Sequence, residues 1–215
     1  MLFTLVLTLH IVFGFTGLLL GTVILIRKKG DTIHKQTGLV FTIAMVATGL
    51  CAFCLTYLHP NLFLFIVGVF TIYLSISGYR IIRLKKAHLG QKPKVFDAIL
   101  TIVMLICAML FYYIGIRHLV ARQIFGLVYL LFGTIGFRLC YTEYKVFADK
   151  VTDPLYALKN HIGRMTGAYI AAFTAFIVVN NTFLPAVLAW SLPGIIGGIF
   201  ISRSIKKLSS NKTNK

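Results

Sequence analysis

Leu2–Ile26 reads LFTLVLTLHIVFGFTGLLLGTVILI, and Arg27-Lys28-Lys29 follow it at once. The run contains His10 but no Asp, Glu, Lys or Arg. A helix rises 1.5 Å per residue, so these residues exceed the roughly 30 Å hydrocarbon core of a bilayer. A soluble core helix is shorter and carries one polar face. The run begins beside Met1 with no basic segment before it and no small-residue cleavage site after it. It is therefore expected to be a retained membrane span and not a cleaved signal peptide.

Outward from this stretch, the same grammar repeats. Apolar runs occupy Gly38–Leu58, Leu62–Ile82, Phe96–Ile116, Gln123–Tyr141, Ile162–Val179 and Phe183–Ile201. They lack the period-two alternation of barrel strands and are too long for them. Of the 215 residues, 58% are apolar and 13% charged. The mean hydropathy is +0.88. A soluble domain carries about 25% charged residues and could not bury this much apolar side chain. The expected fold is all-α, a seven-helix transmembrane bundle forming one domain over residues 1–207. The tail 208–215, rich in Ser, Asn and Lys, is expected to be disordered.

Charge sets the orientation. All but two of the 22 Lys and Arg residues fall at the C-terminal ends of the first, third, fifth and seventh runs, in the connections after them or, for Arg164, at the start of the sixth run, the exceptions being Arg117 and Arg122. Lys and Arg concentrate on the cytoplasmic side, which places the N-terminus outside and the C-terminus inside. A missed or extra helix would break this sorting. The net charge of +17 is thereby a topology signal. Nucleic-acid binding is not expected, because the basic residues punctuate apolar runs and form no patch on a soluble fold. The lipid bilayer is the expected partner.

Self-comparison yields an internal correspondence. Phe13-Gly14, Leu18-Leu19 and Gly21-Thr22 recur at identical spacing as Phe125-Gly126, Leu130-Leu131 and Gly133-Thr134. Lys35-Gln36-Thr37-Gly38 resembles Arg164-Met165-Thr166-Gly167, and Asn61-Leu62-Phe63-Leu64 resembles Asn181-Thr182-Phe183-Leu184. The pattern predicts parallel three-helix repeats over 1–84 and 121–207, joined by a linker helix at 96–116. Such a 3+1+3 layout is one architecture of membrane transporters. Gly14, Gly17 and Gly21 share a face of the first helix and Gly133 and Gly136 one of the fifth, where close helix contact is expected.

Intramembrane polar groups are the default functional candidates in such a chain. His10 lies in the outer half of the first run, suited to a haem or metal ligand, a proton relay, or a hydrogen bond to a neighbouring helix. His34, Arg80, Asp97, Arg138, His161 and Arg164 fall at inner helix ends. Asp97 and His161 open helices, where the dipole favours an acid and disfavours a cation. His161 is thus expected as neutral imidazole, the form that ligates metals. Arg80 and Arg138 can pair with Asp97, hold an anionic headgroup or solute, or snorkel to the interface. Haem needs two ligands at one depth, and His10 stands roughly 10 Å or more from His34 and His161 at 1.5 Å per residue. Cys51 and Cys54 form a C-x-x-C pair inside a helix, read as packing. There is no H-E-x-x-H, no G-x-S-x-G and no phosphate-binding glycine loop.

The combination of several short motifs is more specific than any one. His10 with Gly14, Lys29-Gly30 with His34-Lys35, and Ser77-Gly78-Tyr79-Arg80 form one set. His161-Ile162-Gly163-Arg164-Met165, Thr174-Ala175-Phe176, and Trp190 with Leu192-Pro193 form the other. Together they resemble a family of bacterial integral membrane proteins grouped as a domain of unknown function, over nearly the whole chain. The resemblance implies a bacterial cytoplasmic (inner) membrane and supplies no activity, ligand or catalytic residue. The expected function is binding or translocation of a small solute or lipid through the inner polar cluster, without enzymatic chemistry. A haem- or quinone-binding redox protein and an accessory subunit with a protein partner are the alternatives.

Overall fold

The computed structural model describes residues 1–213 as an all-α chain of seven long helices. They are α1 (Leu2–Ile26), α2 (Thr32–Leu58), α3 (Leu62–Ile81), α4 (Val95–Val120), α5 (Gly126–Phe147), α6 (Tyr156–Val179) and α7 (Ala186–Thr213), with a 3₁₀ turn at Ala87–Leu89 before α4. Six of them are long and apolar enough to cross a membrane; α5 is the one that is not. Its apolar surface is interrupted by Thr134, Arg138, Thr142, Glu143 and Lys145.

Several helices run further than their apolar residues. The α2 helix starts at Thr32 and not at Gly38, because the Asp31 carboxylate accepts from the His34 backbone N–H at 2.7 Å. That N–H holds the Asp31 carboxyl below its usual range, and Arg27 adds to the effect. The cap is therefore complete at neutral pH and weakens only as pH falls through that lowered value. The stretch left between the fifth and sixth apolar runs is partly helix, since α5 continues to Phe147 and α6 begins at Tyr156. The tail expected to be disordered from Leu208 is also helical, α7 running to Thr213; residues 214–215 lie outside the described part. Hydropathy marks where side chains stop preferring lipid. Backbone hydrogen bonding carries a helix on until a cap ends it.

At the centre stands α3, packed against α2, α4 and α6. Ile66, Phe70, Tyr73 and Leu74 of α3 meet Phe41 and Met45 of α2, Met104 and Phe111 of α4, and Ala168 of α6 in one buried cluster. The outward faces stay apolar: Leu9, Val12, Phe15 and Leu19 on α1, and Ile195, Ile196 and Ile199 on α7, are exposed. Threonine hydroxyls inside the helices donate to the carbonyl one turn back, as Thr48 does to Ala44 at 2.8 Å, so they carry no unmet donor into lipid.

Helix pairing does not follow the predicted repeat. The α1 helix lies along α2, whereas α5 lies along α4 and not along α6. Arg122, which the repeat aligns with His10 in α1, sits in the α4–α5 turn with φ 57°. The glycine faces do serve close packing. A Cβ on Gly21 would stand 2.3 Å from the Tyr169 ring, and one on Gly126 would stand 2.6 Å from the Gly115 carbonyl oxygen. Gly38 has nothing within 4 Å of such a Cβ. Gly126→Ala is accordingly expected to lower stability by about 1–3 kcal/mol through overpacking against backbone. Gly38→Ala should be neutral or stabilising by up to about 1 kcal/mol. Thermal melts of both variants in detergent check this, and equal melting temperatures would contradict it.

Candidate functional site: a charged layer at one end of the bundle

The ends of α3 and α5 and the starts of α2, α4 and α6 meet at one end of the bundle, the end predicted to face the cytoplasm. Two ion pairs stack there. Nearer the surface, Arg80 in the last turn of α3 donates through Nε and Nη2 to both carboxylate oxygens of Asp97, at 2.7 and 3.0 Å. Such a two-point contact fixes orientation as well as charge. Asp97 also accepts from the Lys94 backbone N–H at 2.9 Å, which ties the start of α4 to the same carboxylate. The Arg80 guanidinium lies 5.0 Å from the centre of the Phe96 ring. This pair is partly exposed, the two side chains at 24% and 12%.

The deeper pair is Arg164 of α6 with Glu143 of α5, joined through Nη1 and Oε1. Arg164 lies about 12 Å along α6 from Tyr156 at 1.5 Å per residue. It is 1% exposed and Glu143 3%. The second guanidinium nitrogen donates to Thr142 Oγ1 at 3.2 Å, and the Tyr156 hydroxyl donates to the Thr142 carbonyl. The phenols of Tyr73 and Tyr156 flank the charges. The two tiers lie within electrostatic range, Glu143 acting on Arg80 and Arg164 on Asp97.

Hydrogen bonding in the deep tier is incomplete. Arg164 Nε and Glu143 Oε2 are buried and find no hydrogen-bond partner among the described residues. Buried polar groups are nearly always satisfied, so two such atoms on one charge pair are unusual. The pair is also a poor source of stability, because desolvating two ions costs about as much as their attraction returns.

Glycine makes the geometry. A Cβ on Gly78 would stand 2.9 Å from Arg164 Cβ and 3.0 Å from Met165 Sδ, so α6 crosses α3 closely at this glycine. The Gly78 carbonyl accepts from His161 Nδ1 at 2.8 Å. A carbonyl can only accept, so His161 carries its proton on Nδ1 and its Nε2 keeps a lone pair when the ring is neutral. His34 lies close enough to His161 to act on it electrostatically, and its Nδ1 is buried without a partner among the described residues.

The sequence candidates thus divide. Arg80, Asp97, His161 and Arg164 come together, with His34 beside them. His10 does not join them: its Nδ1 donates to the Thr48 carbonyl of α2 at 3.0 Å, in the other half of the bundle. Arg138, expected at a helix end and as a partner for Asp97, stands within α5 on an exposed face. Asp97 is already engaged on both oxygens by Arg80. Glu143, Tyr73, Thr142, Tyr156, Ser75 and Ser77 were not sequence candidates. Ending the apolar run at Tyr141 leaves Glu143 in a loop, though a lone acid one turn from the end of a helix in a chain with five acids was a usable signal. Cys51 and Cys54 are free thiols. Among the described residues no three His, Cys, Asp or Glu side chains group as a metal site. Comparison of the chain with family models, curated proteins and solved structures finds no match.

Proposed function

We propose that this chain crosses a bacterial cytoplasmic membrane seven times, N-terminus out and C-terminus in, and binds a small polar solute in the charged layer at its cytoplasmic end. The protein is a multi-pass membrane protein by its helices. The seventh crossing is α5, whose polar residues include the buried Glu143. The basic sorting supports the orientation, and the motif resemblance supports the bacterial compartment.

The observation that carries the reading is the buried Arg164–Glu143 pair, whose Nε and Oε2 both lack a partner among the described residues. A buried charge network that adds little stability is retained for another reason, and intramembrane ionisable groups mark solute and ion pathways. Arg164 Nε offers a donor and Glu143 Oε2 an acceptor, within one neutral pair. That set matches a solute carrying both an acceptor and a donor. The apolar cluster around Phe41, Phe70 and Phe111 closes the path beyond Tyr73, so entry is from the cytoplasmic side.

A melting-temperature screen of the purified protein against small carboxylates, amino acids and polyols tests this. A solute at a hundredfold excess over its Kd stabilises by about 2.7 kcal/mol, a shift of several degrees for a chain of this size. The shift should disappear when Glu143→Leu is combined with Arg164→Met, which removes both charges of the site. A panel in which no solute shifts the wild-type protein would overturn the reading.

One observation favours the redox alternative: the Nδ1 bond of His161 leaves Nε2 in the form that binds a metal or accepts a proton. A visible absorption spectrum of the purified protein decides it. A Soret band abolished by His161→Ala would place redox chemistry first.

A further inference from the structure

On the opposite side from the ion pairs, α1, α6 and α7 enclose a groove of about 400 Å³. Its walls are apolar along almost their whole length, from Leu184 and Leu188 past Phe173 and Ile170 to Leu25 and Phe200. Its polar lining groups are Thr166 and Tyr169, and the Tyr169 hydroxyl is engaged with Thr22 Oγ1 at 3.0 Å. The floor is set where α7 touches α6: a Cβ on Gly197 would stand 2.2 Å from Ile170 Cδ1. Ile196 and Phe200 at the rim are exposed, so the groove opens sideways toward lipid.

Its chemistry changes at one end. Ala189, Pro193, Ile196 and Phe200 line the groove from α7, and steps of three and four residues along the same face lead next to Arg203 and Lys207. From α1, Leu25 lines the groove and Lys28 follows it. Lys28, Arg203 and Lys207 are exposed and have no ion-pair partner among the described residues. The one acid nearby, Asp31, is held by Arg27 at 3.6 Å and caps α2.

We infer that this groove is a binding site for one anionic phospholipid of the inner leaflet, an acyl chain lying between α6 and α7 and the phosphate held by Lys28, Arg203 and Lys207. The sequence of an apolar slot ending in free cations matches the sequence of chain and headgroup in a lipid. Charge selects the occupant. A second copy of this chain would bring the same excess of cations to the same end, whereas an anionic lipid offsets them. The site is separate from the charged layer and stands or falls without the solute.

The test uses the full chain in detergent, titrated with phosphatidylglycerol or with phosphatidylcholine of identical acyl chains and read by native mass spectrometry. Each cation near an anionic headgroup favours binding by about fivefold, so wild-type protein should retain phosphatidylglycerol at least tenfold over phosphatidylcholine. Lys28→Gln with Arg203→Gln and Lys207→Gln, all at exposed positions, should bring the two lipids close to equal retention. Ile196→Trp fills the groove from its rim and should lose both. Equal retention of the two lipids by wild-type protein would overturn the inference. So would unchanged retention in Ile196→Trp, or a protein dimer that forms in place of the lipid adduct.

Discussion

Glu143→Ala is expected to destabilise the protein by about 3–5 kcal/mol, because it leaves the Arg164 guanidinium buried and unpaired. Arg164 is 1% exposed, and the hydrogen bond left to it is to a neutral hydroxyl, Thr142 Oγ1. The charge cannot be lost instead, since arginine stays protonated in proteins. Glu143→Gln should recover only part of the loss, as it restores shape and an acceptor without the opposite charge. The informative variant is the double one. Combining Glu143→Leu with Arg164→Met removes both desolvation costs, and stability should return to within about 2 kcal/mol of wild type or exceed it. Solute binding should not return with it. Melting curves of the single and double variants give the coupling directly, and a double variant no better than Glu143→Ala would contradict the account. The solvent-accessible Arg27–Asp31 pair is the control, with Arg27→Gln expected to leave the melting temperature almost unchanged.

These expectations differ in how far the residues alone could reach them. The helices were legible because lipid imposes a length: a run such as Leu2–Ile26 has one solution, and α1 has those bounds. That Arg80, Asp97, His161 and Arg164 share one end of the bundle was legible because charge sorting acts locally along the chain. Pairing was not. Arg80 and Arg138 look equivalent as arginines near helix ends, and only the packing of α3 beside α4 brings Arg80 and not Arg138 to Asp97. Glu143 escaped for a related reason: its partner is on a helix the sequence cannot place beside it. The repeat shows the same limit from the other side. Its matched pair Gly21 and Gly133 marks close packing, whereas Gly38 and Gly167 do not, and Gly21 receives Tyr169 of α6 whereas Gly133 receives Tyr112 of α4. Similar small residues permit close approach without choosing which helix approaches.

Gly78→Leu should have the second large effect, and it joins packing to site. The glycine lies where α6 crosses α3, with Arg164 Cβ and Met165 Sδ inside the space a Cβ would take. Met165 is flexible and can yield, but Arg164 Cβ is fixed to the backbone of α6, so the helices must part. Overpacking of this kind costs about 1–3 kcal/mol. Parting also withdraws the Gly78 carbonyl from His161 and moves the Arg164 guanidinium relative to Glu143, adding a share of the ion-pair loss. Gly78→Ala should show the packing cost with less displacement, and Gly167→Ala, whose Cβ would meet Leu74 only at ordinary contact of 3.7 Å, should show almost none. The cycle that decides the matter adds Gly78→Leu to the double variant carrying Glu143→Leu and Arg164→Met. If the glycine serves the charge pair, Gly78→Leu should cost less there than in wild type by about 1 kcal/mol or more, the size of coupling seen between contacting residues. Equal costs in the two backgrounds would mean that Gly78 serves helix packing alone and that the ion pair tolerates the displacement.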